Sequence, residues 1–478
     1  MQKRTKIVAT LGPATERPKT LRKLIDAGLD VARLNFSHGS ADEHRARAAA
    51  VRKASDDCGR EVGLLGDLQG PKIRVKRFKK GSVELKDGAS FFLDSTLGYE
   101  EGSKKGVGVA LDTIHEDVEP KDILLLNDGM ITLQVESIEG TRIHTTVVNG
   151  GILSDHKGIN KKGGGLSAPA LTDIDKENIL LAAELEMDFL AVSFVRTAAD
   201  IEEARRLFRD AGGSGLIVAK IERTEAVDNI DVIIDAADVI MVARGDLGVE
   251  MGYARLTGIQ KSLIRKTRKA RKVVITATQM MESMILNPIP TRAEVSDVSN
   301  AVMDGSDAVM LSGETAVGKH PIKAVRAMAE VCTGAEQFPL PHGRTRHRLG
   351  DYFERVDEAI AMAVMYTANH LDVKAIFALT ESGSTALWMS RIRSDIPIYA
   401  FTPHAATSRR VTMYRGVGPI HFDTEATNSR EVYQDVFDIM LARGLVAVGD
   451  RVIFTKGDLH GVSGGTNAMK IVEITEKS

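Results

Sequence analysis

Short apolar runs alternate with longer amphipathic segments along this chain, and the alternation predicts its architecture. Eight strand-length runs stand at Lys6 to Leu11, Val31 to Asn35, Val62 to Asp67, Phe189 to Phe194, Leu216 to Ile221, Val239 to Ala243, Val273 to Thr278 and Ala308 to Leu311. Several are apolar at consecutive positions, which predicts strands buried on both faces, as in a parallel sheet. Helix-period patterns fill most gaps: Asp200 to Ala211 carries Ile201, Ala204, Leu207 and Phe208 on one face, and Ala254 to Ala270 has a strongly basic outer face. Alternation repeated eight times is the pattern of a (β/α)8 TIM barrel, an α/β fold. An open doubly wound sheet fits the same count, because the number of strands does not prove closure. In a barrel the active site lies at the C-terminal strand ends. Those tips carry Arg33, Asn35, Asp67, Ser193, Lys220, Glu222, Asp246, Thr278 and Glu314.

One interval breaks the pattern. From Pro71 to Ser167 the chain turns to short alternating strands, such as Ser82 to Lys86, Ile131 to Ile138 and Arg142 to Val148, with many glycines and no convincing helix. A β lid inserted in a βα loop is expected over 71–167, with Gly70-Pro71 and Gly158 to Gly165 as hinges or as plain turns. The barrel then comprises 1–70 and 168–345. Phe338 to Arg344 reads as a linker, and 346–478 reads as an α/β unit with a helix at Asp357 to His370, a strand at Ala375 to Leu379, a helix at Ser384 to Ile392 and a strand at Ile398 to Phe401. A strand pair is expected around Val452 to Thr455 and Met469 to Ile474.

Composition narrows the function classes. A length of 478 residues implies several domains, and 63 basic against 65 acidic side chains give near-neutrality, which argues against nucleic-acid and membrane-surface partners. Cys58 and Cys332 stand apart, so neither a disulfide framework nor a cysteine metal site is expected and a cytoplasmic setting is the natural one. The basic start at Lys3-Arg4 is followed by only a strand-length apolar run, unlike a signal peptide.

The tips supply the chemistry. Lys220, Glu222 and Asp246 end two runs separated by one helix-length segment, so two carboxylates and an ammonium are expected to converge, either as a divalent-cation site beside an anion or as a salt-bridge patch. Arg33-Leu34-Asn35-Phe36-Ser37-His38-Gly39 concentrates a guanidinium, an amide, a hydroxyl and an imidazole suited to a phosphoryl group, and Asp67 to Arg74 adds an acid and two cations. An Arg33 to Asp67 ion pair is the plainer alternative. Gly313 to His320 nearly spells a phosphate-binding P-loop but ends in His320, where a Ser or Thr is needed, so Lys319 reads as a solvated charge. Thr380 to Thr385, opening a helix, and Gly461 to Asn467 are candidate phosphate loops or ordinary turns.

These motifs resemble the pyruvate kinase family over nearly the whole chain. The likeness rests on KIVATLGPAT at 6–15, RLNFSHG at 33–39, GPKIR at 70–74, HKGIN at 156–160, AKIER at 219–223, ARGDLGVE at 243–250, ATQMMESM at 277–284 and PTRAEVSDVSNAVMDGSDAVMLSGETAVGKHP at 290–321. It implies a TIM barrel with an inserted β-barrel lid and a C-terminal regulatory domain, assembled as a homotetramer, and a magnesium-dependent glycolytic phosphotransferase acting on phosphoenolpyruvate and ADP. By resemblance Glu222 and Asp246 hold Mg2+ (or Mn2+), Lys220, Arg33 and Thr278 are catalytic, and Arg244 and Gly245 join Asp246 in the substrate pocket. Asn35, His38, Arg74 and Lys157 match nucleotide contacts. A K+ site would use Asn35, Ser37, Asp67 and the Leu68 carbonyl, but Lys72 stands where potassium-requiring members carry glutamate. The resemblance is therefore to the potassium-independent branch, with the Lys72 ammonium in place of K+. Thr380, Ser382, Ser384 and Thr385 match an effector loop, and Ser384 in place of a basic residue favours a monophosphorylated sugar or nucleotide monophosphate over a bisphosphate. Two other functions are weighed: a barrel lyase that uses the same carboxylates to stabilise a pyruvate enolate and needs neither Lys157 nor Arg74, and a silent metabolite sensor, which would require loss of Lys220, Glu222 or Asp246, all present here.

Overall fold

The computed structural model describes residues 3–338, 353–392, 394–423, 432–458 and 464–475. Eight parallel strands close into a barrel: β1 (Lys6–Thr10), β2 (Val31–Asn35), β3 (Gly63–Asp67), β4 (Phe189–Val192), β5 (Leu216–Ile221), β6 (Val239–Ala243), β7 (Val273–Ala277) and β8 (Ala308–Leu311). Closure comes from β1 against β8, with Lys6 opposite Ala308 and Ala9 opposite Leu311. The open-sheet alternative is thereby excluded.

Period-2 alternation sorts the strand residues into two cores. Val8, Val31, Leu65, Ala191, Val218 and Met241 belong to one buried cluster inside the barrel. Ile7, Leu64, Ile217, Ile240 and Val242 belong to a second, packed against the surrounding helices. Advancing two residues toward the C-terminal end along the inward-facing rows exchanges apolar for polar: Val8 leads to Thr10, Val31 to Arg33, Leu65 to Asp67, Ala191 to Ser193 and Val218 to Lys220. The site is the upper continuation of the inward-facing rows.

At the opposite end, an aspartate precedes every second strand. Asp30, Asp188, Asp238 and Asp307 stand before β2, β4, β6 and β8. Their carboxylates accept from the main-chain N–H of Ile7, Leu64, Ile217 and Val274 on the preceding strands, at 2.8, 2.8, 2.8 and 2.9 Å. Each thus ties one strand to the start of the next and fixes their stagger.

Residues 71–167 contain only one short 3-10 turn, Ile114–Glu116, as the lack of a helical pattern predicts. Their strands form a six-stranded sheet and a separate pair, Gly151–Ser154 against Ser82–Leu85. Both connections run side by side as an antiparallel stalk: Val75 N–H donates to the Lys157 carbonyl and Ile159 N–H to the Ile73 carbonyl, each at 2.9 Å.

The C-terminal unit has a five-stranded sheet of β9 (Ala375–Leu379), β10 (Ile398–Thr402), β11 (Val417–His421), β12 (Arg451–Gly457) and β13 (Thr466–Glu473). The order is β11-β10-β9-β12-β13, parallel except for the last pair. Most of the linker expected over Phe338 to Arg344, and Gly461 to Ser463 of the second candidate phosphate loop, lie outside the described residues.

Candidate active site at the barrel mouth

Five consecutive strands, β1 to β5, deliver a connected set of polar side chains. Arg33 donates from Nε to Asp67 Oδ2 at 2.6 Å and from Nη1 to Thr10 Oγ1 at 2.8 Å. Lys220 Nζ lies 3.1 Å from Asp67 Oδ1 and 3.2 Å from Glu222 Oε1, and donates to Ser193 Oγ at 2.6 Å. Ser193 Oγ in turn donates to the Leu68 carbonyl at 2.7 Å. The Arg33–Asp67 ion pair and the phosphoryl-type cluster are therefore one network, since Asp67 holds both cations.

Burial makes these charges interdependent. Burial alone would raise the Asp67 carboxyl, but Lys220 and Arg33 outweigh it and hold the group below its ordinary value. Burial likewise opposes the Lys220 ammonium, yet Asp67 and Glu222 overcome it and raise the group. Glu222 is pushed up, chiefly by burial and further by Asp246, against the pull of Lys220. A buried Glu222 whose charge is costly in the protein alone, with Asp246 near enough to add to that cost, is a donor set that a divalent cation compensates. Among the described residues no group of three or more His, Cys, Asp or Glu side chains is placed to hold a metal. Two carboxylates suffice for Mg2+, which keeps waters and takes its remaining oxygens from substrate.

Asp246 enters from the helix Arg244–Met251, which starts directly at the end of β6. Lys72, from the outgoing arm of the lid, places its Nζ 2.9 Å from Asp246 Oδ1 and 3.7 Å from Asp128 Oδ1 at a lid turn. Asp246 overcomes the opposing effect of burial, and the ammonium is raised. The positive charge of Lys72 thus sits on Asp246, while Asp67 is neutralised by Arg33 and Lys220.

Thr278 follows β7 with φ 69°, and Gln279 follows with φ 52°. Two successive non-glycine residues in the left-handed region are strained backbone held by their surroundings. Thr278 Oγ1 accepts from Gly245 N–H at 2.8 Å and donates to the Ala277 carbonyl at 2.6 Å, while Arg244 Nη2 donates to the Thr278 carbonyl at 2.7 Å. Arg244 is itself paired with Asp297 at 2.7 Å. Its guanidinium therefore supports the tip, and Arg244 itself opens the helix that carries Asp246.

Asn35 Oδ1 accepts from Ser37 N–H at 3.2 Å, shaping the turn that leads to exposed His38. Arg74 and Lys157 sit together on the stalk, Arg74 bridging to Gly158 and donating to the His156 carbonyl at 2.9 Å. In the C-terminal unit, Gly383 N–H donates to Thr380 Oγ1 at 2.9 Å, and Thr385 Oγ1 meets Thr466 Oγ1 at 2.7 Å, which joins the two candidate phosphate loops; among the described residues the Ser384 hydroxyl has no hydrogen-bond partner. The near P-loop motif lies elsewhere: Lys319 is exposed, and buried Glu314 accepts from Met281 N–H at 3.1 Å and Ser312 N–H at 2.7 Å.

Sequence reasoning gave Ser193 no role and passed over Thr10. The inward-facing parity of Val8 would have found Thr10, whereas Asp128 and Asp297 carry no local signal.

The model of the pyruvate kinase barrel-domain family matches residues 2–325, and that of the pyruvate kinase alpha/beta-domain family matches residues 358–472. Pyruvate kinase II of Salmonella typhimurium is 53% identical over 476 residues, covering 99% of both chains. The pyruvate kinase of Haemophilus influenzae is 51% identical over 459 residues, covering 95% of this chain and 96% of its own. That of Geobacillus stearothermophilus is 42% identical over 482 residues, covering 100% of this chain and 81% of its own.

Proposed function

The chain belongs to the pyruvate kinase family and is a phosphotransferase that makes pyruvate and ATP from phosphoenolpyruvate and ADP; we propose that the network at the barrel mouth carries that reaction. The observation that carries the assignment is the Lys220 ammonium, half-buried and held by Asp67, Glu222 and Ser193 at the tip of β5.

Arg33 binds the substrate phosphate, and Lys220 stabilises the phosphoryl group while the bond to the enol oxygen breaks and the bond to a terminal oxygen of ADP forms. Such a transfer spreads negative charge over three oxygens, so fixed cations in a water-poor site are what it needs. The first turn of the helix at Arg244 and Gly245 suits the substrate carboxylate, the Gly245 N–H turning to it from Thr278 Oγ1, which it meets at 2.8 Å in the free protein. Glu222 and Asp246 would hold Mg2+, which when bound supplies Lewis-acid charge to the enolate and phosphate oxygens. The remaining enolate takes a proton at carbon. Thr278 serves there as a relay, since its hydroxyl is a weak acid already engaged with Ala277 and Gly245. Arg74 and Lys157 reach the nucleotide from the stalk, with Asn35 and His38 on the facing tip.

The family uses Mg2+ and K+. We propose that this chain does not require K+, because Lys72 supplies a permanent charge beside Asp246. A phosphorylated monoester effector at Thr380, Ser382, Ser384 and Thr385, a homotetrameric assembly and a cytoplasmic location complete the reading. No helix among the described residues is long and apolar enough to cross a membrane.

A coupled assay for pyruvate tests the proposal. Pyruvate formation is expected to require both ADP and Mg2+. Lys220→Ala is expected to abolish it while Mn2+ binding, read by EPR of the ion, stays within about threefold, since 1.4 kcal/mol is already a factor of ten. Pyruvate formed from phosphoenolpyruvate without ADP, with inorganic phosphate released to water, would be hydrolysis and would overturn the kinase assignment, whereas pyruvate formed by C–C cleavage of a larger 2-keto acid would favour the lyase reading.

A further inference from the structure

We propose that Glu225 and Glu250 are positioning residues that anchor the return arm of the lid to the two barrel segments carrying Glu222 and Asp246. The inference rests on the reading of Lys157, at the head of that arm, as a nucleotide contact.

The arm cannot set its own direction. After the strand Ile159–Lys161, three glycines follow in the left-handed region, Gly163 at φ 87°, Gly164 at 83° and Gly165 at 96°. Such a run has little intrinsic stiffness, so its course depends on what it is tied to. Glu250, only 5% exposed, supplies three ties. Its Oε1 accepts from Asn160 Nδ2 at 3.3 Å, its Oε2 accepts from Thr224 N–H at 3.1 Å, and its main-chain carbonyl accepts from Gly163 N–H at 3.1 Å. Glu225 Oε1 accepts from Gly165 N–H at 2.5 Å. A Cβ on Gly164 would lie 2.8 Å from Glu225 Oε2, so the carboxylate and the glycine define one another's place. Arg223 Nη1 closes the arm by donating to the Leu166 carbonyl at 2.8 Å.

The anchors are not scattered. Arg223, Thr224 and Glu225 directly follow Glu222, and Glu250 lies one helical turn after Asp246 on the same short helix. By bonding Thr224 and Asn160 at once, Glu250 fastens the two metal-side segments to each other and to the lid. Lys157, three residues before Asn160, is then aimed from the same elements that aim the two carboxylates at the mouth.

Hydrogen exchange by mass spectrometry on the full-length, metal-free protein tests the anchor. In Glu225→Ala and Glu250→Ala, exchange over 158–166 is expected to speed up about tenfold while β6 stays unchanged, in line with loss of a hydrogen bond that holds the arm. In steady state the KM for ADP rises about tenfold and kcat and the KM for phosphoenolpyruvate stay within about twofold. Glu250→Gln keeps an acceptor and is expected to restore most of the loss. Asn160→Ala removes the lid side of the bond, leaves the barrel carboxylates in place, and is expected to give the same exchange change, so the idea stays testable where a barrel variant fails to fold. Unchanged exchange in the arm of the folded variants overturns the proposal, as does a fall in kcat with the KM for ADP unmoved. A wild-type protein without ADP-dependent activity removes the functional reading, and with it the positioning role, even where the arm exchanges as expected.

Discussion

Ser193 is fully buried at the tip of β4, and its hydroxyl is the link between the Lys220 ammonium and the Leu68 carbonyl. Ser193→Ala leaves Lys220 held by two carboxylates alone, which fixes its charge but not its direction. The expected result is a fall in kcat of about ten- to a hundredfold with the KM for ADP little changed, since a slight misplacement of a catalytic group costs on that order. A variant of wild-type kcat would show that the carboxylates suffice. Lys72 makes the sharper case, because its charge bridges Asp246 and Asp128. Lys72→Glu puts a further carboxylate beside Asp246, so turnover without K+ is expected to drop at least about tenfold and to recover in part on adding K+. An unchanged response to KCl against NaCl would count against the substitution of charge. Ser193 was legible at a strand end and Lys72 in the motif that follows Asp67; their partners were not, because Leu68 and Asp246 come from other elements brought alongside only by closure of the barrel.

Among the elements, the barrel strands were easy to read, since a run of consecutive apolar positions bounded by charge fits little besides a strand buried on both faces. The segment after β6 was harder. ARGDLGVE, with two glycines in eight residues, resists assignment by propensity, yet Arg244–Met251 is a helix because tertiary packing buries Leu247 and Val249. That helix carries Asp246 and Glu250 to different neighbours. Burial pushes the Glu250 carboxyl up to about 7, against the bonds from Thr224 and Asn160. The native state therefore keeps a proton that the unfolded chain releases near its ordinary value of 4.5, so stability falls as pH rises from about 4.5 to 7 and is flat above. Urea unfolding at pH 5, 6, 7 and 8 is expected to show this decline in the wild type and a flatter profile in Glu250→Gln. Equal slopes in both would assign the dependence to other groups.

For the whole molecule, the floor of the barrel matters as much as its mouth. Its inner core is continuous with apolar residues of the C-terminal unit, among them Val364, Met365, Ile376 and Ile453. Two floor aspartates also reach that unit: Asp188 accepts from Arg409 Nε at 2.8 Å, and Asp307 pairs with Arg391, whose side chain is 1% exposed. Arg391→Leu strands a buried carboxylate, and a loss of about 3–5 kcal/mol with a lower Tm is expected. Adding Asp307→Asn, which keeps an acceptor for Val274 N–H and removes the charge, should recover part of it; calorimetry of the single and double variants decides, and no recovery would place the loss in packing alone. By itself the sequence determined the eight strands, the polar tips, the inserted stretch of β-structure and the family, because periodicity and long motifs are local properties of the chain. Only the tertiary structure decided which tip meets which: that Asp67 serves Arg33 and Lys220 together, that Lys72 lies on Asp246, and that Glu250 ties lid to barrel. Those contacts join residues up to 174 positions apart, as with Lys72 and Asp246, and they exist only because closing the sheet brings distant segments to one rim.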